Sequence, residues 1–335
     1  MPLPDYLVRA SALEGFDRLV QELGGDPSAL RRAAGIAPGA IPYDSWISYS
    51  AFLTLLENSA RTLECPHFGL SLSRYQDIGI LGSVGFVMRE SPDVATALGE
   101  LSRYFTLHNQ GGEVHLAQQG ATASLSFEPK MPGSIRTTQQ IDLILGMGLK
   151  IMRLLCGAQW CPTTVYVTHQ EPADRAPLRK LLDCPIVFNA EMCMFTFPQS
   201  TLAQKISNAD SDLHRVLAQH LSTIRQRFPD SYPDQIRYLI RQALLTGDCS
   251  IERVAGYLSI TKRTLQRRLR AEGTSYKALL EEVRFNVASR YLLESDASLT
   301  SLADMLGYSE LSAFSNAFKN QTGLSPRRWR AQRAH

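Results

Sequence analysis

One pattern, written twice at an offset of 48 residues, constrains this chain more than any bulk property. Ile251 to Leu258 reads as a short helix with Ala255 at the crowded position where only a small residue lets two helices approach. Ser259-Ile260-Thr261 reads as a turn and Lys262 to Ala271 as a second helix, capped by the Thr261 hydroxyl. Leu299 to Leu306 repeats the first helix with Ala303 in the place of Ala255. Gly307-Tyr308-Ser309 then makes the turn and Glu310 to Thr322 the next helix. Ala255 to Leu265 is 10 positions and Ala303 to Phe314 is 11, so the second turn is one residue longer.

The outer faces of the two second helices carry the chemistry. At ~100° per residue, Arg263, Gln266, Arg267 and Arg270 share one face, and Leu265 and Leu269 fall opposite. Such a helix docks by its leucines and presents guanidinium and amide groups outward. Those groups suit a DNA major groove, where Arg is bidentate to guanine and Gln to adenine. A solvated amphipathic helix has the same pattern, so this face alone does not decide. In the second unit Ser312, Ser315, Asn316 and Lys319 repeat the outer face, and Phe314 and Phe318 the buried one. Between the units, Tyr276 to Leu293 reads as a helix of 18 residues, roughly 27 Å long at 1.5 Å per residue. That length is of the order needed to set two reading helices near one DNA turn, ~34 Å, apart.

Charge follows the same division. From Ser231 onward there are 16 Lys+Arg against 10 Asp+Glu, whereas the first 230 residues hold 19 against 22. A basic C-terminal third on a slightly acidic remainder points one end at a polyanion. The 335 residues suit two domains. The expected boundaries are an effector-sensing and oligomerisation domain over 1–205, a linker over 206–232 and a double helix-turn-helix domain over 233–335.

These stretches resemble the AraC/XylS family of bacterial transcription regulators. The resemblance rests on Ile251-Glu-Arg-Val-Ala-Gly-Tyr-Leu, on Arg263-Thr-Leu-Gln-Arg-Arg-Leu, and on the run Leu306-Gly-Tyr-Ser-Glu-Leu-Ser-Ala-Phe-Ser-Asn-Ala-Phe-Lys that closes in Gly323-Leu-Ser-Pro326-Arg-Arg-Trp-Arg. It implies that Arg263, Gln266 and Arg267 read bases in the first unit and Ser312, Ser315 and Asn316 in the second. Lys262, Arg270 and Lys319 would contact phosphate, where position matters and sequence is not read. Asn316 departs from the family, which more often has Arg there.

The first 200 residues read as α+β: helices followed, after about residue 112, by a small, largely antiparallel sheet. Helices are expected over Ala12 to Leu23, from Asp26-Pro27 through Ala34, over Ser48 to Leu63 and over Ile135 to Cys156. Hairpins are expected around Gly120-Ala121 and around Asn189-Ala190-Glu191, with a strand over Thr163 to Thr168. His67-Phe-Gly-Leu, Gly79-Ile-Leu-Gly-Ser-Val-Gly-Phe, Ser91-Pro-Asp-Val-Ala-Thr-Ala-Leu and Leu101-Ser-Arg-Tyr104 resemble the non-cupin effector domain found in a subset of the family. That domain is similar to regulators sensing amino acids and other metabolites, and implies no sugar. Arg103, Tyr104, His108 and Asn109 form a polar patch that either lines an effector pocket or ends a helix in solvent.

No enzyme is expected. Nucleophile elbows and paired carboxylates are absent. A fusion that repairs alkylated DNA would want a reactive Cys motif or a four-Cys metal site, and neither occurs. Gly79-x-x-Gly82-x-x-Gly85 lacks nucleotide-loop spacing and a Walker lysine, so it is expected to mark a close helix–loop contact. His67, His108, His115 and His169 have no ligand-like spacing, so no metal and no cofactor is expected. Six scattered cysteines, with no C-x-x-C, read as buried, reduced and structural. No apolar run approaches a membrane span, and Asp5, Arg9, Glu14, Asp17 and Arg18 break up any secretory signal, so a cytoplasmic protein is expected. The reading is a ligand-responsive DNA-binding transcription regulator. Its expected partners are promoter DNA, a small-molecule effector, a second copy of itself as a homodimer and, if it activates, RNA polymerase. A ligand-independent activator is the alternative, set against by length, because ~100 residues suffice for the DNA work.

Overall fold

Short strands that are buried on both faces open the N-terminal unit. Leu7–Arg9 (β1) pairs antiparallel with Trp46–Ser48 (β2), Val8 opposite Ile47. The expectation that strands begin only near residue 112 is corrected here. Three-residue strands whose Leu7, Val8, Trp46 and Ile47 are all buried carry no polar alternation to read. Phe16–Glu22 (α1) starts later than Ala12, because Ala10–Leu13 is a tighter 3-10 turn and Gly15 adopts φ 77° before the helix. Pro27–Ala33 (α2) begins as expected, with the Ser28 N–H donating to Asp26 Oδ1 at 2.8 Å. Tyr49–Thr62 (α3) begins after Ser48, whose Oγ accepts from the Ala51 N–H.

Phe68–Ser73 (α4), Ser83–Arg89 (α5) and Val94–Tyr104 (α6) follow. Gly112–Gln119 (β3) and Thr122–Pro129 (β4) form the expected hairpin, turning at Gly120 with φ 59°. Thr138–Cys156 (α7) is the long apolar helix. Thr164–Tyr166 (β5), Ala176–Leu182 (α8), Ile186–Val187 (β6), Cys193–Pro198 (β7) and Ser211–Gln226 (α9) complete the unit. The sheet order is β3-β4-β7-β5-β6, antiparallel except between β5 and β6. The hairpin expected around Asn189 is therefore not formed. The Asn189 and Ala190 N–H groups donate to the His169 and Val167 carbonyls, which holds the chain beside β5 and places β5 between β6 and β7.

α7 is the core of this unit and packs against α4 and α3. Two glycines set the approach: a Cβ on Gly69 would meet the Gln139 carbonyl, and one on Gly146 the Ser73 side chain. Gly85 makes the expected close contact, since a Cβ there would meet the Ile78 carbonyl. α9 lies within the stretch read as linker, yet it packs on α5 with Leu221 1% exposed. Of the cysteines, only Cys193 is buried, and Cys161 is exposed. Burial pushes the Cys193 thiol up to about 12.

The C-terminal unit is all-α: Tyr232–Leu245 (α10), Ile251–Tyr257 (α11), Lys262–Ala271 (α12), Tyr276–Glu294 (α13), Leu299–Met305 (α14), Leu311–Thr322 (α15) and Pro326–Arg333 (α16). α13 spans the unit, packing on α10 and on α16. Ile236, Val254, Leu258, Leu265, Leu269 and Val283 are buried in the first half. Leu292, Leu302, Leu306, Phe314, Phe318 and Trp329 are buried in the second.

This computed structural model describes residues 6–36, 38–39, 41–43, 45–130, 136–207, 209–226, 231–245, 247–258, 260–294 and 298–333. Ile135 and Ser259, on which expectations were placed, lie outside them. The chain divides into two units, Met1–Phe228 and Pro229–His335. Among the described residues no helix is long and apolar enough to cross a membrane.

Candidate nucleic-acid interface and effector cavity

The duplication extends to individual hydrogen bonds. The Ile260 N–H donates to the Ala255 carbonyl at 3.0 Å, and the Tyr308 N–H donates to the Ala303 carbonyl at 3.0 Å. Ala255 and Ala303 are 2% and 1% exposed, so each marks a helix crossing with no room for a larger side chain. Ser250 caps α11 and Ser298 caps α14 through the same contact, a hydroxyl accepting the N–H three residues on, at 3.2 and 3.1 Å. α12 follows its turn with Thr261 as cap, and α15 starts one position later relative to its alanine.

The faces fall as the periodicity requires. Leu265 and Leu269 are fully buried, while Arg263, Gln266, Arg267 and Arg270 are exposed. Among the described residues these four side chains have no ion-pair or hydrogen-bond partner, so their donors are free for a polyanion. Lys262 is also exposed, but its Nζ lies 2.8 Å from Glu252 Oε1. That bond holds the Glu252 carboxyl below its ordinary range. In α15, Asn316 and Lys319 are exposed, Ser315 is half-buried, and Ser312 Oγ donates to Glu310 Oε2 at 3.0 Å. The second face thus carries one full positive charge where the first carries three.

Arg284, which the sequence did not single out, ties the second unit to the spanning helix. Its Nε donates to the Leu306 carbonyl at 2.8 Å and a terminal nitrogen to the Gly307 carbonyl at 2.7 Å. Its guanidinium sits 4.2 Å from the centre of the Tyr308 ring. The Tyr276 hydroxyl donates to the Cys249 carbonyl at 2.9 Å and fixes the entry to α11. Both act across tens of residues, a separation at which local periodicity carries no signal.

The N-terminal unit holds an apolar cavity of about 110 Å³. Val8, Phe52, Leu101, Phe105, Leu143 and Phe195 contribute to its wall, and among the described residues no Asp, Glu, Lys or Arg does. His108 and Asn109 line it; Arg103 and Tyr104 do not. Arg103 is exposed, and its carbonyl accepts from the Arg225 guanidinium. Tyr104 is buried, with the Arg103 and Arg225 guanidiniums 6.0 and 5.9 Å from its ring centre. The four-residue patch is thus split: two members face the cavity and two face α9.

His108 is 6% exposed, and burial, with the Arg9 guanidinium nearby, drives its imidazole down to about 4, so the ring is neutral near pH 7. Its Nδ1 has no hydrogen-bond partner. Gln76, 1% exposed on the same wall, uses its amide nitrogen on the Ala12 and Glu14 carbonyls at 2.9 and 3.2 Å. Its Oε1 is left without a partner.

A second buried polar group escaped the sequence reading. Asp142, 2% exposed on α7, has His67 Nδ1 at 3.4 Å from one carboxylate oxygen and His169 Nε2 at 3.3 Å from the other. The bond to Asp142 raises His67. For His169 burial pulls down and is outweighed by Asp142. Burial pushes the Asp142 carboxyl up, and the two imidazoles outweigh it to hold the carboxyl below its ordinary range. The only local signal was a lone carboxylate inside the apolar run of α7.

Residues 24–206 match the family model for the arabinose-binding domain of AraC transcription regulators, N-terminal part, and residues 254–332 match a helix-turn-helix domain. The chain is 33% identical over 328 residues to the HTH-type transcriptional regulator VirS of Mycobacterium tuberculosis, covering 97% of this chain and 96% of VirS. It is 23% identical to the ornithine utilization regulator of Pseudomonas aeruginosa, with 97% and 96% covered. The crystal structure of the transcriptional regulator CdpR from the same organism aligns at a TM-score of 0.47 and 21% identity, covering 94% of this chain and 97% of CdpR. The chain belongs to the AraC family of DNA-binding transcription regulators, and not to an enzyme family.

Proposed function

We propose that this regulator answers to a small molecule held in the N-terminal cavity and reads DNA mainly through α12. The observation that carries the effector half is the cavity, placed in a unit that DNA contact does not require. A route to the rest of the chain supports it. Ile80 and Leu81 line the cavity and also a groove closed by Leu221 and Ile224 of α9. A ligand that moves this wall moves the seat of α9, the last element before the C-terminal unit begins. Couplings between sites usually amount to ~1–3 kcal/mol, or about 5–150-fold in affinity.

Arg263, Gln266 and Arg267 are the proposed base readers of the first unit, and Ser312, Ser315 and Asn316 those of the second. Lys262, Arg270 and Lys319 bind phosphate. A homodimer on DNA, contact with RNA polymerase during activation and a cytoplasmic place of work extend the same reading, with family membership as their support. The test is to select duplexes from a random library with the full chain, then measure affinity with and without cell-extract metabolites. A change of about 5–150-fold supports effector control; an unchanged affinity across extracts refutes it.

A further inference from the structure

The cavity wall specifies what it accepts more narrowly than the family resemblance does. Among the described residues no charged side chain lines it, so an amino-acid carboxylate or ammonium brought there would lose its hydration without a counter-charge. A sugar fares no better, because a ring of hydroxyls needs many partners and this wall is mostly apolar. Yet the wall is not inert. The Gln76 amide cannot be turned over, since its nitrogen is committed to two carbonyls, so Oε1 stands as an acceptor only. His108 adds a neutral imidazole whose Nδ1 is also unpartnered. Two buried polar atoms without a partner are costly, and a guest that brings a donor satisfies them once the wall relaxes enough to uncover them.

Resting on the effector reading above, we propose that the ligand is an uncharged, mainly apolar molecule carrying one hydroxyl or N–H donor, seated with that donor toward Gln76 and His108. The volume sets its bulk. An apolar cavity of ~150 Å³ admits benzene, so about 110 Å³ suits a single six-membered ring or a short alkyl chain with slight relaxation of the wall.

Phenol is a suitable probe, with toluene as its isostere lacking the donor, benzoate as its charged counterpart and arabinose as the polyol. Each is titrated into the full chain by calorimetry. Phenol is expected to bind about tenfold more tightly than toluene, as one neutral hydrogen bond allows, with benzoate and arabinose showing no binding. His108→Phe keeps a ring in place, and Gln76→Met keeps the length. Each should erase most of the preference while toluene still binds, which also shows that the variant folds. Equal affinity for phenol and toluene, binding of benzoate or arabinose that phenol displaces, or no binding of any probe at millimolar concentration overturns the proposal. Repeating the phenol titration on the complex with selected duplex separates the two readings. If phenol binds with this preference and duplex affinity stays constant, the ligand chemistry stands and effector control falls. If extract shifts duplex affinity while phenol does not bind, effector control stands and this ligand chemistry falls.

Discussion

Arg267→Ala separates base reading from simple attraction to DNA. Arg267 is exposed at the centre of the α12 outer face and has no partner within the described protein, so its removal leaves no buried group unpaired. Ala is also the better helix former, so folding stability should move by no more than ~0.5 kcal/mol. Lost DNA affinity then reports the contact itself. A bidentate guanidinium–guanine pair gives ~1–3 kcal/mol of discrimination, about 5–150-fold. That loss should appear on the selected duplex and be much smaller on a scrambled one, where the side chain offers only its charge. Lys319→Ala is the control: it also removes one exposed charge. It should weaken both duplexes by the same factor and lower the slope of log K against log salt by ~0.9. Fluorescence anisotropy titrations at several salt concentrations measure both quantities. Equal losses for Arg267→Ala on the two duplexes would refute its role as a base reader.

Further perturbations test other parts of the account. Asp142→Asn leaves one buried and one half-buried imidazole without their carboxylate and should destabilise the N-terminal unit by ~3–5 kcal/mol near pH ~6, measured by urea unfolding. The sign follows from the shifts. The raised His67 and His169 contribute stability below their ordinary 6.5 that is lost as pH rises through their folded-state values. Asp142 contributes above its ordinary 3.8, and that part is lost as pH falls through its lowered value. Stability should therefore decline above pH 6.5 in the parent protein, and this decline should flatten in the variant. Phe318→Ala, at a buried ring packed edge-on against Phe314 and Trp329, should cost ~3–5 kcal/mol in urea unfolding of the C-terminal unit. Glu252→Gln releases Lys262 from its 2.8 Å ion pair, and should tighten binding to scrambled DNA and steepen its salt slope by up to ~0.9.

Local rules reached far where local forces decide. In α12 and α15 the stripe that periodicity marks as apolar is the one that is buried, because each docks by it: Leu265 and Leu269, Phe314 and Phe318. The alanine offset was legible because two copies of one unit must solve the same crossing. In the N-terminal unit the rules fail wherever partners are distant. β1 and β2 are too short for a period to register, and β6 joins β5 rather than the adjacent β7, a choice made by the carbonyls of Val167 and His169. The polar patch around Arg103 was located correctly as chain but divided by geometry, since the turn at Phe105–Leu107 sends His108 and Asn109 inward while Arg103 stays exposed. Gln76 and Asp142 were invisible for the same reason: their partners are 27 to 75 residues away.

The central claim is a division of labour between the two units. Fragments 1–228 and 231–335 are purified separately and titrated at moderate salt against a labelled duplex selected by the full chain and against its scrambled counterpart. The C-terminal fragment, which holds α12, α15 and its own buried core, is predicted to fold and to prefer the selected duplex. The N-terminal fragment is predicted to fold and to bind neither. A folded C-terminal fragment without preference, alongside an N-terminal fragment that binds DNA, would contradict the account.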